Sequence, residues 1–243
     1  MKVVSPSYRR AGKTVIREWW PAVTLGVHAS EAEEYQSRDG GDLLILPDAA
    51  KGNMARVRNA ILDALKDEPW VLMVDDDIRD VSQFGSRSQP YRAKQLDADQ
   101  LALFLENGCE MADDLSCHLW GINLQYDPKF YREYSPFSFT SPVLGPFCCV
   151  KPSSLRYDER LSLNEDYDFF LQSVRMDRKV LRFNRLHYTT IHLERAGGCA
   201  SYRTIEEEKA QAALMQRKWG SKIVTYDFQK SFNPVLRVPI PGL

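Results

Sequence analysis

Trp70-Val71-Leu72-Met73-Val74-Asp75-Asp76-Asp77 is the stretch whose reading decides the fold class. An unbroken apolar run that stops abruptly at a carboxylate reads as a strand buried on both faces of a parallel sheet. Ligands of such sheets bind outside the carboxyl ends of the strands, which is where the acidic cluster must lie. Three adjacent carboxylates repel one another, at a cost in stability unless a cation offsets the charge. Oxygen-only ligands suit Mg²⁺ or Mn²⁺, ions that commonly bridge a carboxylate to a diphosphate. The competing reading is a solvated acidic turn. The fully apolar strand ahead of the cluster weighs against it, because at least one carboxylate must face the cleft.

Upstream of this stretch, short apolar runs alternate with helical patterns, as in βαβ units. Val3 and Val4 lead into Ser5-Pro6-Ser7, a first strand that ends early. Thr24 to Val27 reads as a second strand, with a helix around Glu31 to Tyr35. Leu43 to Leu46, closed by Pro47-Asp48, reads as a buried parallel strand. Met54, Val57, Ile61, Leu62 and Leu65 recur at helical spacing.

Downstream, Gly85 to Lys94 is polar and patternless. Asp97 and Gln100 have capping-box spacing and open a helix towards Leu115. His118 to Leu124 reads as a strand. The aromatic and proline-rich span from Tyr126 to Phe147 reads as a long ordered loop or irregular hairpin, and such loops are usually functional. A helix follows Asn164, strands are expected at Val180 to Phe183 and at His187 to His192, and Thr204 with Glu207 caps a last helix ending near Gly220. The remainder wraps back over the body.

Three further features carry chemistry. Asn164-Glu165-Asp166-Tyr167-Asp168 sits at a helix start, where the helix dipole favours carboxylates. Asn164 alone suffices for the cap, which leaves an acid free to point into a cleft and deprotonate a hydroxyl. His187 and His192 precede Gly197-Gly198. Beside an acidic metal site a late histidine is a plausible extra ligand, although an isolated strand histidine is more often structural. Lys51-Gly52-Asn53 enters a helix whose N-terminus, with Arg58, suits a nucleotide or is simply a solvated basic start.

Bulk properties exclude several classes. The 243-residue chain has a net charge of −1, so no global positive field draws it to nucleic acid or membranes, although a local basic face remains open. The five cysteines form no C-x-x-C pair, which argues against structural zinc or a disulfide framework and for a reducing compartment. No apolar run approaches the roughly 20 residues that span a bilayer, and a cytoplasmic location is expected.

With these features in order, the chain resembles the GT-A nucleotide-sugar glycosyltransferases. More narrowly it looks like the TET-associated glycosyltransferases and the related base J glucosyltransferases, on Pro6-Ser7-Tyr8-Arg9-Arg10, Trp70 to Ile78 and Gly197-Gly198. Members of that group add sugars to hydroxymethylated pyrimidines in DNA, often in bacteriophages. The resemblance implies one GT-A α/β domain with a mostly parallel sheet and a long aromatic-rich insertion: residues 1–125 as donor half, 126–220 as acceptor and catalytic half, and 221–243 as tail.

The resemblance also implies roles. Pro6, Ser7 and Tyr8 line a uridine pocket with Asp48 and Arg58 nearby. Asp75 contacts ribose or sugar and Asp76 belongs to the same donor site. Asp77 holds Mn²⁺ or Mg²⁺ against the diphosphate of a UDP-sugar, and His192 completes the metal shell. Asp166 is the base of a single inverting displacement on a hydroxyl of hydroxymethylcytosine or hydroxymethyluracil in DNA, with Glu165 as its rival. The Tyr126–Phe147 aromatics offer stacking surfaces for a base, or form a second hydrophobic cluster. Arg175, Arg178, Lys179, Arg182 and Arg185 offer a phosphate-contacting face, or a solvated edge.

Other classes fit less well. A sugar-nucleotide nucleotidyltransferase would open on a Gly-rich loop, and Ser5 to Lys13 holds only Gly12. An aspartyl phosphotransferase would place its acids on the first strand. A GT-A enzyme acting on a saccharide or small molecule, and a non-catalytic DNA- or carbohydrate-binding module, remain alternatives. The module would not need Asp75, Asp77, Asp166 and His192 to converge.

Overall fold

The computed structural model describes residues 1–85, 93–124, 126–191 and 204–238. In chain order these form β1 (Lys2–Pro6), α1 (Ile16–Trp19), β2 (Thr24–His28), α2 (Ala32–Arg38), β3 (Leu43–Leu46), α3 (Met54–Ala64) and β4 (Val71–Val74). Then come β5 (Ile78–Gln83), β6 (Lys94–Gln95), α4 (Ala98–Asp114), β7 (Leu119–Asn123), β8 (Phe137–Ser138) and β9 (Phe147–Val150). The chain continues through α5 (Glu165–Asp177), β10 (Leu181–Thr190), α6 (Ile205–Trp219), β11 (Val224–Asp227) and β12 (Ser231–Leu236).

The result is a mixed α/β fold around one large sheet of order β3-β2-β1-β4-β9-β7-β10-β5-β6, with β8 beside β10. β1 to β4 are mutually parallel, and β7 and β10 run the same way. β9 is wedged antiparallel between β4 and β7. The chain builds outward from β1 through β2 to β3 and then returns to place β4 on the other side of β1. That reversal is a topological switch point, and ligands of open α/β sheets bind in the crevice outside the carboxyl ends of the strands at such a point, here β1 and β4.

Side-chain alternation along β4 explains its continuous apolarity. Val71 and Met73 enter one core layer, with Ile61 of α3, Phe170 of α5 and Met215 of α6. Trp70, Leu72 and Val74 enter the other, with Tyr35 of α2 and Leu101 and Leu105 of α4. Each fully buried residue of this kind contributes roughly 1.5–3 kcal/mol through lost apolar surface. Glycines admit the large rings: a Cβ on Gly108 of α4 would lie 2.8 Å from the Trp120 indole.

The helix caps expected at both ends of the chain are present. Asp97 and Gln100 form a reciprocal capping box on α4, and Thr204 accepts from the Glu207 amide at the start of α6. The segment after Gly220 forms the β11–β12 hairpin, whose Val224 is buried in the core layer of α6.

Other expectations are corrected. β3 is an edge strand whose Ile45 is 51 % exposed, because nothing pairs with its outer side. Val180 to Phe183 and the run beginning at His187 belong to one strand, β10, which bends through a register shift and ends at Thr190. β5 and β9 carry no simple apolar alternation and were not expected. Asn164 does not cap α5 through its side chain; it adopts φ 65°, and its amide nitrogen is buried without a partner. His192, Gly197, Gly198 and Cys199 lie outside the described residues. Among the described residues, no helix is long and apolar enough to cross a membrane.

Candidate active site

The three aspartates after β4 have separate fates. Asp76 turns inward. Its carboxylate accepts from Ser7 Oγ at 2.5 Å and pairs with Arg10. Its carbonyl accepts the amides of Val15 and Ile16 at 3.0 and 3.1 Å. Burial raises its pKa, against the pull of Arg10. Asp76 therefore ties the long β1–α1 connection to the end of β4. Ser7 is absorbed in the same network, since its hydroxyl also meets Tyr35 Oη at 2.8 Å.

Asp75 and Asp77 flank this anchor and keep partial exposure. The Asp75 amide donates to the carbonyl of Pro146 at 3.0 Å, which fixes the backbone at the mouth of β4. Burial pushes the Asp75 carboxyl up to about 7, with Asp77, Asp76 and Asp166 adding repulsion and Arg58 opposing. Asp75 and Asp166 lie 91 residues apart in the chain (166 − 75), yet they act on one another at this edge.

The second acidic stretch is organised by Arg58. This α3 arginine is buried, contacts Glu165 Oε1 at 2.6 Å and lies 5.5 Å from the Tyr157 ring centroid. Its guanidinium packs over Gly145, where any Cβ would collide with it. The facing carboxylates hold Arg58 firmly protonated, while burial raises Glu165 above the ordinary carboxylate range. Glu165 is thus buried and occupied. Asp166 is partly exposed; it accepts the Gly145 amide at 3.2 Å and the Tyr167 amide at 2.8 Å. Asp168, one turn on, is fully buried and serves α6 by accepting from Lys218 and from Trp219 Nε1 at 2.7 Å.

β10 completes the edge. Tyr188 sits among Asp75, Asp166 and Asp77, and burial first, then these acids, raise its phenol pKa. The Ile191 amide donates to the Asp77 carbonyl at 3.1 Å, which ties the chain just past β10 to the acidic cluster. Sequence reasoning passed over Tyr188, Arg10 and Gly145. Tyr188 had a signal in its place directly after His187, whereas nothing local distinguishes Gly145.

At the other side of the crevice, Pro6 ends β1 and Tyr8 packs edge-on against His28 at the end of β2, with centroids 5.5 Å apart. Asp48 follows β3 and is exposed, accepting from Ser30 and Lys51, each at 2.9 Å. Those contacts, Lys51 first, lower its pKa to about 2. Pro6, Tyr8 and Asp48 thus share the carboxyl edge with Asp75 and Asp77, while Arg58 lies beneath the acids and supports Glu165.

Among the described residues, no group of three or more His, Cys, Asp or Glu side chains is arranged to hold a metal. Two aspartates offer only hard oxygen donors. That donor set suits Mg²⁺ or Mn²⁺ shared with a substrate diphosphate, which supplies further oxygens, and does not make an all-protein cage. The basic residues of the α5–β10 region do not form one face. Arg175 and Arg178 are exposed at the far end of α5, Lys179 follows it partly exposed, Arg185 is exposed within the bend of β10, and Arg182 is half-buried within the sheet.

No curated protein matches the chain. Solved structures similar to it include A197 from STIV, with 12 % identity, covering 80 % of this chain and 88 % of that one, TM-score 0.40. CMP:2-keto-3-deoxy-manno-octonic acid synthetase complexed with CTP shares 10 % identity over 89 % of this chain and 98 % of that one, TM-score 0.40. A mycobacterial protein shares 12 % over 89 % and 73 %, TM-score 0.41. The TET-Associated Glycosyltransferase family matches residues 1–198, nearly all of the chain that builds the sheet and its acidic edge, and the protein belongs to that family of glycosyltransferase enzymes.

Proposed function

We propose that the protein is an inverting, metal-dependent GT-A glycosyltransferase that moves a sugar from a UDP-sugar to the hydroxymethyl group of hydroxymethylcytosine or hydroxymethyluracil in DNA. The observation that carries this reading is that three separate stretches of chain meet at one sheet edge: the Asp75 amide bonds Pro146, the neighbouring Gly145 amide bonds Asp166, and the Asp77 carbonyl bonds Ile191, three residues past Tyr188. A binding module has no need of acids gathered from separate stretches of chain at one sheet edge.

In this reading the uridine lies along the ends of β1 and β2 beside Tyr8. Asp75 contacts the ribose or sugar. Asp77 and His192, the latter outside the described residues, would hold Mn²⁺ or Mg²⁺, which would supply electrostatic stabilisation to a departing diphosphate. Asp166 is the base in preference to Glu165, because Glu165 is buried against Arg58 and Asp166 is open to the crevice. The acceptor oxygen attacks the anomeric carbon from the face opposite the diphosphate and forms the new C–O bond. The bond to the diphosphate breaks, its electron pair leaves with UDP, and the hydroxyl proton passes to Asp166. The Gly145 and Tyr167 amides hold the Asp166 oxygens in place through the step.

The test is incubation with a panel of UDP-sugars and DNA containing hydroxymethylcytosine, hydroxymethyluracil or neither, followed by mass spectrometry of the nucleosides. A hexose or pentose mass added only to the hydroxymethylated base, and only with divalent metal, is the expected result. Transfer that ignores the hydroxymethyl group, or survives chelation undiminished, refutes the corresponding part.

A further inference from the structure

Arg182 is a cation without a counter-charge among the described residues. It stands on β10 opposite Ser138 of β8 and beside Gly121 of β7. Leu181 and Phe183 on either side enter the core layer of α4. By alternation, Arg182 therefore takes the other face of the sheet, the face that carries Met73 and, two residues later, Asp75. Its Nε–H donates to Asn184 Oδ1 at 2.9 Å and an Nη1–H donates to the Pro142 carbonyl at 3.4 Å. Its remaining N–H groups meet no acceptor among the described residues. No carboxylate among the described residues acts on it, and burial lowers its pKa to about 10. A half-buried guanidinium without an anion is costly, and the cost is relieved when one binds.

The surroundings suit a phosphate. Ser138 Oγ donates to Ser141 Oγ at 2.7 Å, which leaves the Ser141 hydroxyl its own proton to give. A planar guanidinium fork beside a hydroxyl donor matches phosphate oxygens. The register gives the location: Arg182 is level with Gly121, Gly121 with Cys148, and Cys148 with Met73. Three strand spacings across and two residues along put Arg182 roughly 16 Å from Asp75. That is too far to serve the diphosphate held at Asp77. The short segment from Pro142, which accepts from Arg182, to Gly145, which donates to Asp166, links the subsite to the base.

We propose that Arg182, with the Ser141 hydroxyl that Ser138 holds in place, binds a phosphodiester of the acceptor DNA strand a few nucleotides from the base presented to Asp166. The proposal rests on the DNA-acceptor reading above. It singles out one cation from the basic α5–β10 region and leaves Arg175 and Arg178, at the far end of α5, outside the contact.

Arg182→Gln and Arg182→Lys, made in the full chain, test it by anisotropy of a labelled hydroxymethylcytosine oligonucleotide, titration with UDP, and steady-state transfer. Arg182→Gln is expected to weaken oligonucleotide binding about tenfold and to reduce the slope of log affinity against log salt by about one. KM for the oligonucleotide rises while UDP affinity stays within about twofold of wild type. Arg182→Lys keeps the salt slope and recovers only part of the affinity, because the fork is lost. Unchanged oligonucleotide affinity and slope in Arg182→Gln overturn the subsite. A matching loss of UDP affinity moves Arg182 to the donor side and overturns it as well. Should Arg182→Gln fail to fold, the Ser138→Ala/Ser141→Ala double variant decides: a few-fold weakening supports the subsite and unchanged binding overturns it. Wild-type protein that binds the oligonucleotide but transfers no sugar sinks the acceptor reading and leaves Arg182 to be judged by anisotropy. Wild-type protein that binds no oligonucleotide sinks both.

Discussion

The two acidic stretches of this protein are alike in composition and opposite in setting. Asp75-Asp76-Asp77 follows a strand, whereas Glu165, Asp166 and Asp168 open a helix. In both, an arginine from far away in the chain neutralises one acid: Arg10 takes Asp76 and Arg58 takes Glu165. In both, a neighbour of the paired acid is left facing the crevice. A further acid of the helix stretch, Asp168, turns wholly inward and holds α6. The strand end needs no such contact, because its layers are already joined by β4 itself. Runs of acid can therefore persist at a functional edge because structure disposes of the surplus charges one at a time, each by a specific partner.

The largest expected effects test the division of labour between the stretches. Asp77→Ala should abolish metal-dependent UDP binding, and transfer with it, as read by calorimetry with and without Mn²⁺. Asp166→Asn should leave UDP binding intact while turnover falls by about 100-fold or more. Wild-type turnover in that variant would remove Asp166 as the base and put Glu165 back in contention.

Next in size is Asp168→Ala, which removes the acceptor of Lys218, Trp219 and Gln172 from a fully buried position. A loss of about 3 kcal/mol is expected from chemical denaturation. A loss below about 1 kcal/mol would show that the inward acid is dispensable and that the contrast with the strand end is weaker than drawn.

Gly145→Ala forces a methyl group into the Arg58 guanidinium and should cost about 1–3 kcal/mol through overpacking. Turnover should drop further than stability does, because the Arg58–Glu165 pair and the amide on Asp166 shift together. Parallel small losses in both would mean that Arg58 relaxes freely.

The smallest effects separate an acid that caps from a residue that does not. Asp97→Ala breaks the capping box of α4 and should cost about 1 kcal/mol. Asn164→Gly at the start of α5 should stay within about 0.5 kcal/mol of wild type in a thermal melt, since it loses no cap bond and glycine accepts the φ of 65°. An Asn164→Gly loss as large as that of Asp97→Ala would reveal a capping contribution that the geometry lacks.

Local pattern carried a good part of the architecture. β1, β2, β4, β7, the spans of α3 and α4, and both caps were legible because each depends on neighbours within one turn or on period-two burial. The strands β5 and β9 were not. β5 alternates poorly, and β9, Phe147-Cys148-Cys149-Val150, ends a proline-rich span that masks its short apolar run.

What the sequence determined by itself was the class of site: an acidic cluster at a strand end, a second at a helix start, and a order of motifs that matches one glycosyltransferase family. Which acid turns inward was decided only by tertiary structure. Asp75, Asp76 and Asp77 are chemically identical along the chain, and Asp76 is the one that Ser7 and Arg10 reach. Arg182 was one basic residue among several until the sheet register gave it neighbours, a face and no acid. The physical reason is common to both. The state of a charge depends on what the folded chain brings within a few ångströms of it, and those partners come from stretches tens of residues away.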